Sequence, residues 1–291
     1  MKIVIALNNY TRFTGSEMYV YELSRVLAKR GHKVTILANE VRGEIASRTK
    51  KNGVKMYEFF GHPELKPDII HVQQPNPTAY CLRFFPQVPH IVTVHSEFIY
   101  EIPMIDTQIK KYIFVRPEIQ EKYLTDEITK IPQDKGVTIL NGVDTNRFNT
   151  LPTGDINPNS VLFVGTFDQL RTQALSEIIK RTGLEKKELV LITEGYERLV
   201  GKLPKHVRLL PPTWDVEKWT KYCGSTAGIL MGRTTIEGWM CGKSGIIYEI
   251  NEEGGIVGIR LVEVPDQKKL KVFDIEYMTD RVVEVYEEAL R

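Results

Sequence analysis

Short apolar runs alternate with stretches whose apolar residues recur every three or four positions, and the alternation predicts strands and helices in turn. In the first half it predicts strands over 2–7, 32–38, 54–60, 67–72 and 89–95, with helices over 17–30, 44–51 and 78–85 between them. Val20, Leu23, Val26 and Leu27 share the inner face of the first helix, and Gly31 ends it. After His95 the texture is mixed, with strands over 112–115 and 137–140 and a helix over 117–124. The tract 149–159, rich in Asn, Pro, Thr and Gly and without periodicity, reads as an interdomain linker. Beyond it the same grammar resumes, with strands over 161–164, 188–193, 207–210 and 227–231 and helices over 172–181 and 216–222. A Gly-rich turn and a strand occupy 254–264, and a closing helix over 272–290 offers Val282, Val283, Val285 and Tyr286 for packing.

Strands that alternate with helices form parallel sheets covered on both faces. The expected architecture is therefore α/β, with two Rossmann-like, doubly wound domains facing across a cleft. The first domain is expected over 1–150 and the second over 160–291, with the last helix able to pack back on the first domain. Hinge motion is expected at 149–159 and where the last helix crosses over.

A chain of 291 residues exceeds one typical core and fits this division. Its 42% hydrophobic and 26% charged residues are those of a soluble globular protein. The 39 basic residues set against 37 acidic ones give a net charge of +2, which argues against nucleic acid as the partner. Cys81, Cys223 and Cys241 are odd in number and lack metal-ligand spacing, so they read as reduced thiols and no metal site is expected. The first apolar run is too short for a signal peptide or a membrane span, and a cytoplasmic location follows as the expectation.

The stretch G-R-T-T-I-E-G-W-M-C-G-K-S-G-I-I, residues 232–247, carries the clearest candidate chemistry. An apolar strand feeds a helix there, and the first N–H groups of such a helix, with its dipole, attract phosphate. Gly232, Arg233, Thr234 and Thr235 form the expected tip, and Glu237 lies one turn in, where a carboxylate can accept from ribose hydroxyls.

Four stretches, F-T-G-S-E, V-T-V-H-S, I-L-N-G-V-D-T-N-R-F and I-E-G-W-M-C-G-K-S-G-I-I, occur in the order found in retaining glycosyltransferases of family 4, and over essentially its whole length the chain resembles that GT-B family. The resemblance implies transfer of a sugar from a nucleoside-diphosphate sugar to an acceptor hydroxyl with retention of configuration, without a cofactor or an obligatory metal. No Asp-x-Asp motif stands at a strand end to hold a cation. It also implies an amino domain for the acceptor, which is a carbohydrate, a lipid-linked molecule or a small molecule, and a carboxyl domain for the nucleotide sugar.

Residue by residue, the resemblance places Gly15 in a loop that a ligand approaches, and His95 beside the donor sugar. Arg171 falls where the family carries a lysine on the diphosphate, and Arg233 is the candidate second cation. The chain departs from the family at Thr166, where an arginine is usual, and at Ile229, where the first of two glutamates is usual. Tyr10, Arg12 and Tyr100 are candidate acceptor contacts, with Phe98 beside them. Lys110 and Lys111, beside Ile109, Tyr112 and Ile113, read as a solvated surface, with peripheral contact to an anionic membrane as the alternative. A sugar-nucleotide epimerase and a nucleotide-sugar binding protein without turnover are the alternative functions.

Overall fold

The computed structural model describes residues 1–98, 101–125, 129, 131–148, 156–195, 198–199 and 201–291. The chain divides into two compact units, Met1–Gly142 with Ile275–Arg291, and Val143–Asp274.

Unit 1 holds β1 (Lys2–Ala6), β2 (Asn9–Tyr10), β3 (Lys33–Ala38), β4 (Glu40–Val41), β5 (Lys55–Glu58), β6 (Ile69–Val72), β7 (His90–Val94), β8 (Ile109–Phe114) and β9 (Gly136–Thr138). Seven of them form a parallel sheet in the order β5-β3-β1-β6-β7-β8-β9, while β2 and β4 pair by themselves. The order reverses between β1 and β6, which makes the carboxyl ends of those strands the switch point of the sheet. Strands covered on both faces must be apolar on both, and every residue of β6 and β7 is buried.

Helix α1 (Gly15–Lys29) begins two residues earlier than periodicity predicts, because Glu17 closes the preceding loop. Its carboxylate accepts from the backbone N–H groups of Thr11 and Arg12 at 2.7 and 3.0 Å and from the Thr14 hydroxyl at 2.7 Å. The helices α2 (Gly43–Lys51), α3 (Pro75–Phe84) and α4 (Pro117–Thr125) follow.

Unit 2 holds α5 (Thr145–Phe148), β10 (Asn157–Thr166), α6 (Thr172–Leu184), β11 (Glu188–Glu194), β12 (Val207–Leu210), α7 (Val216–Tyr222), β13 (Cys223–Ile229), α8 (Arg233–Met240), β14 (Gly245–Ile250), β15 (Ile256–Val262) and α9 (Gln267–Leu270). Its six strands run β12-β11-β10-β13-β14-β15, all parallel except for β15 against β14. Here the order reverses between β10 and β13.

The chain enters unit 2 earlier than composition suggests. Val143 is fully buried with Phe148, Ile236 and Trp239, and its N–H donates to the Phe273 carbonyl at 2.8 Å. The N-G-V-D-T-N-R-F stretch therefore ends in the core of unit 2 and not in a first domain reaching residue 150. Arg147 holds it there, paired with Glu217 at 2.6 Å and stacked 4.3 Å from the Trp214 ring. Of the expected linker, 149–155 lies outside the described residues, and Asn157 to Asn159 already belong to β10. Val143 and Asp274 form a parallel bridge, so the two passages of the chain between units leave unit 2 side by side.

The closing helix is α10 (Ile275–Ala289), shorter than predicted because Lys271–Phe273 form a separate 3-10 turn. It belongs to unit 1, where Arg30 of α1's cap meets Glu276 at 2.8 Å and Asp280 at 2.7 Å. Val282, Val285 and Tyr286 are buried and Val283 is half-buried. Inside, the Tyr286 hydroxyl and Thr93 Oγ1 each lie 2.6 Å from a ring nitrogen of the fully buried His71.

Burial disfavours a charged imidazole, and it pushes His71 down to about 3 from an ordinary 6.5. A histidine held neutral in the fold but free to protonate when unfolded adds stability above pH 6.5 that is lost as pH falls toward its folded value. Thermal unfolding followed from pH 7 to pH 4 should show Tm falling below pH 6.5, and less steeply in His71→Gln. At pH 7, Tyr286→Phe should lower stability by about 1–3 kcal/mol, because it strands a buried ring nitrogen.

Candidate functional site

In unit 2 the residues nominated by sequence gather at the switch point. Strand β10 ends at Thr166 and β13 at Ile229, and the loops after them lead into α6 and α8. The first hydrogen bond of α8 runs from Ile236 N–H to the Gly232 carbonyl at 3.3 Å, so the N–H groups of residues 233–235 lie outside the helix's own ladder. Helix α8 packs tightly on β13 because Gly238 has no side chain; a Cβ there would stand 2.7 Å from Thr226 Cγ2. The turn before it is strained. Leu230 adopts φ +61, a left-handed conformation that costs a side-chain-bearing residue about 1–2 kcal/mol, and its N–H is held by the Tyr248 carbonyl at 2.9 Å. Apolar periodicity gives no sign of such strain, which concentrates at functional sites.

Arg233 and Glu237, expected to contact different parts of a ligand, form a pair with each other. Arg233 Nη2 donates to Glu237 Oε1 at 2.9 Å, with side chains only 12% and 8% exposed. A cation at the first position of a helix stands at the wrong end of the dipole, and the carboxylate four residues on offsets it. The spacing was visible in the sequence as i,i+4, and it was the available signal.

The threonines of the tip do different work from that expected. Thr234 Oγ1 donates to the Val164 carbonyl of β10 at 2.9 Å and so pins the helix tip to the neighbouring strand. Thr235 is buried, and its hydroxyl lies against Gly228 of β13, so its side chain packs on the sheet and only its backbone N–H belongs to the tip. Helical geometry places a third-position side chain on the sheet side here, a consequence that the local sequence alone does not carry.

Arg171 caps the loop after β10. Its N–H donates to Asp168 Oδ1 at 2.9 Å and its guanidinium pairs with Asp168 Oδ2, so the side chain is held by an acidic neighbour within the loop.

In unit 1, His95 follows β7, and its Nε2 lies 2.7 Å from Gln73 Oε1. The Tyr19 ring meets it edge-on at 5.2 Å between centroids. Desolvation pushes its imidazole down to about 4, so it is neutral at pH 7. Gly15 is the exposed first residue of α1, and nothing stands within 4 Å of where its Cβ would be. The fold itself does not require glycine there.

The acceptor candidates need correction. Tyr10 is fully buried with its hydroxyl 2.7 Å from Thr49 Oγ1, so it cannot stack on a ligand. Phe98 is buried as well. Arg12 is exposed, and Tyr100 lies outside the described residues. The apolar half of the membrane-facing alternative is core, since Ile109, Tyr112 and Ile113 are buried, and Lys111 pairs with Glu288 at 2.8 Å. Among the described residues, no helix is long and apolar enough to cross a membrane.

Comparison with known proteins agrees with this architecture. The sequence profile of Glycosyltransferase Family 4 matches residues 13–147. No curated protein matches the sequence. Among solved structures, the chain is similar to Anabaena HepE in complex with UDP and glucose, with a TM-score of 0.71 at 14% identity over 99% of this chain and 100% of that one. It is also similar to a glycosyltransferase from Rickettsia africae, at TM-score 0.66 and 15% identity over 100% and 99% of the two chains. The catalytic domain of starch synthase IV from Arabidopsis thaliana, bound to ADP and acarbose, gives 0.61 at 13% identity over 100% and 99%. The chain has the GT-B fold, built of two Rossmann-like units, and its residues 13–147 match the profile of Glycosyltransferase Family 4.

Proposed function

We propose that the protein transfers a sugar from a nucleoside-diphosphate sugar to an acceptor hydroxyl with retention of configuration and without a metal. The observation that carries this reading is the Arg233–Glu237 pair at the tip of α8, on the switch point of unit 2. The helix tip and Arg171 receive the diphosphate, and Arg233 adds a second positive charge where Thr166 has none to give. Glu237 takes the ribose hydroxyls, already aimed by its arginine. The acceptor oxygen bonds to the anomeric carbon as the bond to the diphosphate breaks, and the proton of the acceptor passes to the departing phosphate oxygen on the same face. His95 of unit 1 serves as a neutral hydrogen-bonding partner of the sugar. UDP and ADP in the similar structures support a nucleoside diphosphate as the leaving group.

Binding without turnover is the second reading, and Ile229 favours it. An isoleucine in the family's first glutamate position cannot accept from a sugar hydroxyl. A panel of nucleotide sugars, scored for thermal stabilisation and for slow hydrolysis, separates the two readings. Transfer predicts both effects with one donor, and binding alone predicts stabilisation with no hydrolysis. No effect from any nucleotide sugar overturns both.

With the active donor, Arg171→Ala should lower kcat/KM about 100-fold. Treatment with EDTA should leave the rate unchanged. Glu237→Ala should lower stability by about 3–5 kcal/mol, since it breaks a buried ion pair, so the folded Glu237→Gln is the proper measure of ribose binding. Gly15→Ala should leave Tm within a degree or raise it while weakening donor binding, a combination that a purely structural glycine would not give.

A further inference from the structure

Gln73 stands directly after β6, at the switch point of unit 1 and one strand from His95. Its backbone is committed to the sheet edge, with N–H donating to the Ala6 carbonyl of β1 at 2.9 Å. Its side chain is 2% exposed. The carbonyl end of that side chain faces His95 Nε2 at 2.7 Å, while Nε2 of the amide has no hydrogen-bond partner among the described residues. The neighbouring Gln74 shows the contrasting structural use of the same amide, with its oxygen accepting from the Asn8 backbone N–H at 3.0 Å.

A buried amide with one end on a histidine and the other end unspent is costly to keep for packing alone. The other polar groups near the ring do not share its hydrogen bond. His71 is engaged on both ring nitrogens by Tyr286 and Thr93, and the Tyr19 ring meets His95 edge-on. Gln73 thus holds a hydrogen bond to the His95 ring. An imidazole that donates through Nε2 keeps its lone pair on Nδ1.

We propose that Gln73 is a positioning residue that fixes His95 as the Nε2–H tautomer, so that His95 offers the ligand an acceptor and selects a group that brings its own proton. A sugar hydroxyl fits that requirement, whereas a phosphate or ether oxygen does not. The inference rests on the reading of His95 as a ligand contact, and it names the class of group contacted.

The imidazole tautomer is read directly by long-range proton–nitrogen NMR on protein labelled with 15N-histidine, with the His95 signals identified by their loss in His95→Gln. Without any nucleotide at pH 7.5, the wild-type protein should show a bare Nδ1 and a protonated Nε2. Gln73→Glu retains the acceptor and should keep that pattern while raising the titration of the ring. Gln73→Leu should mix the two tautomers. An Nδ1–H pattern in the wild type, as a reversed amide would give, or an unchanged pattern in Gln73→Leu overturns the proposal. With the donor found in the panel, Gln73→Leu should lower kcat about tenfold with little change in the donor KM, and Gln73→Glu should restore most of it. Wild-type kcat in Gln73→Leu overturns the positioning role. The spectra need no turnover, so a protein that transfers nothing would defeat the transferase reading and still report whether Gln73 sets the tautomer.

Discussion

The site depends on how the tip of α8 is held. Three constraints act on it together: the missing side chain of Gly238 lets the helix lie close to β13, Thr234 ties its first turn to β10, and the strained Leu230 turn aims it. Gly238 and Thr234 join the helix to the two strands between which the sheet reverses, and the Leu230 turn is held by Tyr248 of β14. A helix held in this way keeps its first N–H groups and its dipole fixed without reorganisation when an anion arrives, which is what makes preorganised electrostatics effective. The Arg233–Glu237 pair then adds charge of both signs at the same tip.

The corresponding edge of the sheet in unit 1 carries a different set of groups. There Gln73 follows β6 with a neutral amide, and His95 follows β7 with an imidazole that burial keeps uncharged. The α8 tip of unit 2 carries a cation and a helix dipole, whereas the Gln73–His95 pair of unit 1 is uncharged. The last helix reinforces unit 1, because Tyr286 brings a hydroxyl to His71 on the strand beside β7.

Much of this was legible in the sequence, for identifiable reasons. The strands were readable because parallel strands buried on both faces must be continuous apolar runs, as in β1, β6 and β7. That Arg171 and His95 lie just beyond strands and Glu237 in the first turns of a helix was readable from the same alternation of apolar runs and helical periodicity. What was not legible depends on packing between distant segments. Tyr10 and Thr235 carry polar groups in loop-like or tip positions, but Thr49 and Gly228 take them into the interior. The entry into unit 2 at Val143 was hidden as well, since the partner of its N–H is Phe273, far along the chain. Gln73 is not legible in the sequence, because a glutamine after a strand looks like any loop residue until the fold places His95 beside it.

Hydrogen–deuterium exchange with and without UDP or ADP tests the central claim most directly, because it reads the backbone amides that are said to hold the diphosphate. The account predicts slowed exchange confined in unit 2 to the α8 tip, residues 232–236, and to the loop 167–171. Exchange unchanged at the tip under saturating nucleotide, or protection only elsewhere in the chain, would contradict it.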